Sequence, residues 1–129
     1  MSKIYLPKQR IKIEDVIRAV CNEYELTPDE IVGQRGSPAL AFARHVAMYI
    51  AYETCNKSLQ EIGIEFGKRH HTAVIHARNR IQGLIKKPKF ETDKDKADRI
   101  SLIKVLAQIL HNLQAHEQND KNTNAHLRA

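Results

Sequence analysis

Between Lys57 and Ala73 the chain reads KSLQEIGIEFGKRHHTA, and here the groups able to do chemistry crowd together. Lys57, Lys68 and Arg69 supply positive charge. His70, His71 and Thr72 supply compact hydrogen-bonding groups, and Ala73 with the Thr72 methyl could meet a thymine methyl. Histidines also raise metal and acid–base chemistry, but the spacing argues against both. Adjacent His70 and His71 would point about 100° apart on a helix. His71 and His76, like His111 and His116, stand five apart rather than the four of a two-histidine zinc helix. Cys21 and Cys55 fit neither zinc nor disulfide spacing and read as small core residues. The nearest approach to a phosphate-binding loop, Gly63 to Arg69, has one residue too few between its glycines and ends in Arg. No catalytic residue, metal ligand, cofactor or nucleotide is therefore expected. The chemistry on offer is recognition of a polyanion.

The charge distribution points the same way. The 129 residues carry 21 Lys+Arg against 15 Asp+Glu, a net charge of +6. Residues 1–12 hold +4, residues 13–56 hold −4, and residues 90–129 balance. Residues 57–89 carry eight basic groups against Glu61 and Glu65, so one window equals the net charge of the chain. A positive surface focused in this way recruits nucleic acid. Only four tyrosines and three phenylalanines are present and no tryptophan, which disfavours the aromatic platforms that hold single strands. No apolar run approaches the 18 residues of a membrane span, and the basic N-terminus lacks the apolar stretch of a signal peptide. The expected setting is the cytoplasm, associated with the nucleoid.

Few turn residues and few aromatics disfavour a β domain, and the apolar periodicity is helical. Ile13, Val16, Ile17, Val20 and Tyr24 form one stripe. Thr27-Pro28-x-Glu30 reads as a capped helix start, Ser37-Pro38 opens a long alanine-rich helix to about Thr54, and Ser58 with Glu61 forms a second capping box. Gly67 suits the end of that short helix. A helix from about His71 to Ile85 follows, with Val74, Ala77, Ile81 and Leu84 on one face. A last helix runs from about Asp93 to Leu113. The expected fold is all-α, a helical bundle containing a helix-turn-helix plus a C-terminal helix. Its parts are a basic arm at 1–10, the DNA-binding domain at 11–88, linker and helix at 89–113, and a disordered polar tail at 114–129. Short glycine-turned hairpins also occur in ordinary cores. The rival reading is a non-enzymatic interaction module whose final helix, apolar nearly all round, packs on its own domain or forms a homodimer.

The stretch ARHVAMYIAYETCNKSLQEIGIEFGKRHHTAVIHARNRIQGL, Ala43 to Leu84, resembles the C-terminal DNA-binding domain of the bacterial replication initiator DnaA. Ser58-Leu59-x-Glu61-Ile62-Gly63, the Phe66-Gly67 turn and His71-Thr72-x-Val74 with His76-Ala77 carry the likeness, which extends weakly back to Ile11. The resemblance implies a stand-alone duplex-binding domain for DnaA-box-like sites, without the ATPase module, acting in regulation of replication initiation or transcription. It places major-groove readers at His70, His71, Thr72 and Ala73, and phosphate contacts at Arg44, Ser58, Leu59 and Arg69. The family usually shows Asp-His-Thr-Thr at positions 70–73. It also has arginines where Gly36 and Pro38 stand here, leaving only Arg35 close by. Histidine is a poor helix cap compared with aspartate, so His70 is expected to face the groove with an altered base preference.

Overall fold

The structure, a computed structural model, describes residues 11–34 and 36–127, with side chains through residue 114. The basic arm at 1–10 and Arg35 lie outside the described residues. Six helices and no strand form among those described: α1 (Ile13–Tyr24), α2 (Pro28–Val32), α3 (Pro38–Thr54), α4 (Leu59–Glu65), α5 (His71–Ile85) and α6 (Asp93–Leu127). The fold is all-α, and every helix start except that of α1 carries a capping side chain.

Local chemistry fixes those starts. Thr27 Oγ1 accepts from Glu30 N while Glu30 Oε1 accepts from Thr27 N, at 3.2 and 3.0 Å. Ser58 and Glu61 repeat the exchange at 3.1 and 3.3 Å. Each pair satisfies two amides that the first helical turn would leave without partners. Ser37 Oγ caps α3 through Leu40 N, with Pro38 at the first helical position. Thr92 and Asp95 make the same reciprocal exchange ahead of α6.

Helix α3 is the centre of the bundle and packs against α1, α2, α4 and α5. Residues Val46 to Ala51 are all buried, so this helix is apolar on every side and its alanines let neighbours approach closely. Phe66, Val74, Ala77 and Ile81 bring α4 and α5 onto it. Buried Thr54 donates its hydroxyl to Ile50 O at 2.7 Å, which removes the cost of an unpaired polar group. Cys21 and Cys55 are free thiols in the core, and burial pushes both above the usual thiol range.

Two expectations for the C-terminal part are corrected. Helix α6 does not stop near Leu113 but runs to Leu127. Its buried face is Leu102, Leu106, Ile109 and Leu113, whereas Ile100 and Ile103 stay 38% and 40% exposed. Leu84, expected on the inner face of α5, is also exposed. The linker is fastened by Arg99, which donates to both carboxylate oxygens of Glu91 at 3.2 and 3.0 Å. That bond holds the Glu91 carboxyl below its ordinary value.

Candidate nucleic-acid interface

Helices α4 and α5 are joined through Phe66, Gly67, Lys68, Arg69 and His70, a turn whose path only particular residues allow. Gly67 and Lys68 both take left-handed backbone, with φ of 86° and 59°. A Cβ on Gly67 would stand 2.0 Å from Val32 O, and one on Gly63 would stand 2.3 Å from Arg69 O. The glycine inside α4 thus lets the returning chain lie against the helix, where Arg69 N donates to Gly63 O at 2.8 Å. A helix-interior glycine was a visible signal for this approach, and the sequence reading used only Gly67.

The turn is tied to the end of α2. Arg69 donates through Nη1 to Val32 O at 3.2 Å and to Phe66 O, and through Nη2 to Gly33 O at 2.6 Å. From α3, Arg44 donates to Ile31 O at 2.6 Å and to Glu30 O and Gly33 O at 3.1 Å each. The carbonyls of residues 30–33 at the end of α2 therefore all accept from a guanidinium. These are groups that a helix C-terminus leaves unpaired, and cations there suit the helix dipole. Gln34 Nε2 adds a bond to Gly67 O at 3.0 Å. Burial lowers the pKa of both arginines, and for Arg44 the neighbouring Arg69 cation adds to the effect.

Arg44 is 7% exposed and turned toward the α2 carbonyls. The phosphate contact expected of Arg44 would ask for a solvent-facing geometry, whereas its guanidinium here faces inward. Arg69 is half-buried and spends three of its five donors inside the fold. No spacing rule separates an arginine that caps a helix end from one that meets a phosphate.

The remaining expected residues divide by exposure. Lys57 and Lys68 are exposed, and Lys57 lies 3.7 Å from Glu61 across one helical turn. Ser58 is exposed at the start of α4, while Leu59 is half-buried. At the start of α5, His70 and Thr72 are exposed and His71 and Ala73 half-buried. His70 corrects an expectation: it is the N-cap of α5, its Nδ1 accepting from Thr72 N at 3.3 Å and lying 2.9 Å from Thr72 Oγ1. Its ring sits 4.2 Å from that of His71. With Nδ1 as acceptor, the proton of the neutral ring sits on Nε2.

Behind this surface, α5 leans on α3 through two cation–π contacts, Arg78 over Tyr52 at 5.0 Å and Arg80 over Phe42 at 5.1 Å. Arg80 Nη1 also lies 3.1 Å from His45 Nδ1. Burial, then the nearby Arg80, Arg44, His76 and Arg69, push the His45 pKa down. Among the described residues no group of three or more His, Cys, Asp or Glu could hold a metal, and no helix is long and apolar enough to cross a membrane. The arrangement presents cations and neutral hydrogen-bonding groups around one helix start.

Comparison with known proteins places this geometry. Residues 13–81 match the family model described as the bacterial DnaA protein helix-turn-helix. The chain is 38% identical over 96 residues to the chromosomal replication initiator protein DnaA of Rhodopseudomonas palustris strain BisB18, covering 74% of this chain and 19% of that protein. It is 34% identical over 99 residues to the DnaA of Xanthobacter autotrophicus, covering 77% and 19%. With the DnaA of Nitrobacter hamburgensis it shares 38% over 96 residues, covering 74% and 19%. The chain spans about a fifth of the length of these relatives.

Proposed function

Because the chain belongs to the family of bacterial DnaA helix-turn-helix domains, we propose that it binds double-stranded DNA in a sequence-specific manner and regulates replication initiation or transcription in the nucleoid. The observation that carries this reading is the start of α5, where exposed His70 and Thr72 stand on a turn fixed by two glycines and two inward arginines. A recognition helix enters the major groove by its N-terminal residues. The reading requires no nucleotide, metal or catalytic step. That the matched relatives are replication initiators supports a role at DnaA-box-like sites.

In this reading Lys57, Lys68, the Ser58 hydroxyl and the Leu59 amide meet phosphates, Arg35 also reaches DNA, and His70, His71, Thr72 and Ala73 face base edges. About three to four phosphate contacts give a log–log salt slope of about −3 to −4. A slope near zero, or equal affinity for single strands, rejects duplex recognition. Arg69 and Arg44 then act as positioning residues. Lys in place of Arg69 keeps the charge but not the planar fork, so Arg69→Lys is expected to weaken duplex binding as much as Arg69→Ala. If lysine restores affinity and salt slope, Arg69 is a phosphate contact after all. A second reading, a homodimer through α6, draws on the exposed stripe of Ile100 and Ile103. Sedimentation at low and high concentration tests it.

A further inference from the structure

The outer face of α5 carries more than its first turn. At about 100° per residue, Thr72, His76, Asn79 and Gly83 fall within about 60° of one another, and Val74, Ala77 and Ile81 lie on the opposite side. Burial agrees: the first four are exposed and the last three fully buried. The cations of this helix are turned elsewhere, Arg78 onto Tyr52 and Arg80 onto Phe42. The outward stripe is thus left without arginine or lysine. Among the described residues nothing hydrogen-bonds the Asn79 amide.

A carboxamide is the side chain that pairs bidentately with adenine N6 and N7. Recognition helices that lie along the groove read with positions spaced i, i+4 and i+7, the spacing of Thr72, His76 and Asn79. Gly83 completes the stripe with a feature the fold does not explain. A glycine inside a helix is less favourable than alanine, and a Cβ there would meet nothing within 4 Å. No packing among the described residues requires it.

Resting on the duplex-binding reading above, we infer that α5 lies along the major groove as far as Gly83, with Asn79 a second base-reading residue and Gly83 the point where the helix backbone closes on the DNA. Thr72 and Asn79 are about 10 Å apart along the axis, the length of about three base pairs. Asn79 therefore specifies a base roughly three pairs from the one Thr72 reads, and adenine is its preferred partner.

The test is selection from a random duplex pool, followed by affinity and thermal melting, for the full chain and three variants. Asn79→Ala is expected to relax one position, about three pairs from the position relaxed by Thr72→Ala. It should lose roughly 5- to 100-fold on the preferred site, with affinity for unrelated duplex and the salt slope unchanged. Gly83→Ala is expected to melt higher than the parent yet bind DNA more weakly. The inference is overturned if Asn79→Ala selects the parent sequence with the parent's affinity, or weakens all duplexes alike with a shallower slope. It is overturned for Gly83 if the alanine variant is both more stable and equally tight. Loss of selection by the parent itself removes the duplex-binding reading and this inference together. Selection by the parent with an unaffected Asn79→Ala removes the inference alone.

Discussion

At the α4–α5 turn, five backbone carbonyls accept from two arginines and two glycines bring main chains into contact. Helix α6 is attached by apolar side chains, Leu102, Leu106, Ile109 and Leu113 in the core and Val105 and Leu110 at its edge, and the ion pair Arg99–Glu91 fastens only the linker before it. The turn is thus held by directional bonds, which fix where atoms lie. The last helix is held by buried area, which fixes that elements stay together but tolerates small shifts. A surface that reads base edges needs the first kind of attachment, since hydrogen-bond reach leaves only tenths of an ångström. The contrast teaches where the fold spends its geometric restraint.

The sharpest way to break that contrast is at Gly67. Gly67→Ala adds a methyl 2.0 Å from Val32 O on left-handed backbone. We expect a loss of about 3 kcal/mol of stability, read as a lower urea midpoint, with duplex binding falling further than the unfolded fraction explains. A loss under about 1 kcal/mol would mean that the turn is not geometrically pinned.

On the other side stands Ile109, fully buried on the inner face of α6. Ile109→Ala should cost about 2–3 kcal/mol by the same unfolding assay, while the folded fraction binds duplex with unchanged affinity. A changed base preference in this variant would show that α6 positions the reading surface, and the contrast would fail.

The smallest expected effect sharpens the contrast by pH. Burial and the cations Arg80, Arg44 and Arg69, with His76, lower the His45 pKa in the folded state. The unfolded chain therefore takes up a proton near the ordinary value of about 6.5 that the folded chain resists. More protons on the unfolded state means stability rises with pH there. Stability falls as pH drops below about 6.5 and levels off beneath the folded pKa. Melting curves between pH 8 and 5 should show this decline, reduced in His45→Gln. An identical pH profile for both chains assigns the decline to other groups.

Helix ends were legible because short-range chemistry sets them. Thr27 with Glu30 and Ser58 with Glu61 satisfy each other three residues apart, and both exchanges are in the structure. Gly67 was legible for a like reason, as a left-handed position at a helix end. The roles of Arg44 and Arg69 were not, because, Phe66 O apart, their acceptors lie 11–14 and 36–37 residues away. Their partners are backbone carbonyls, which every residue possesses and no pattern marks. The choice of stripe on α6 was hidden too, since two apolar rows of equal quality compete and only packing decides. His70 as a cap went unread because the ring nitrogen does there what an aspartate oxygen would do.

The carbonyl of Gly33, shared by Arg44 and Arg69, also sets a condition on assembly. The first donor follows it in sequence by 11 residues and the second by 36. The end of α2 is thus finished only when residues from both α3 and the α4–α5 turn have reached it. A peptide cut to α4 and α5 alone would keep its caps and the Arg69–Phe66 bond but lose α3 beneath its apolar face and the α2 carbonyls that Arg69 grasps. The smallest fragment with a finished turn begins no later than α2. The unit that forms the proposed DNA-binding surface is therefore the block of four helices α2 to α5 rather than the hairpin of α4 and α5 alone.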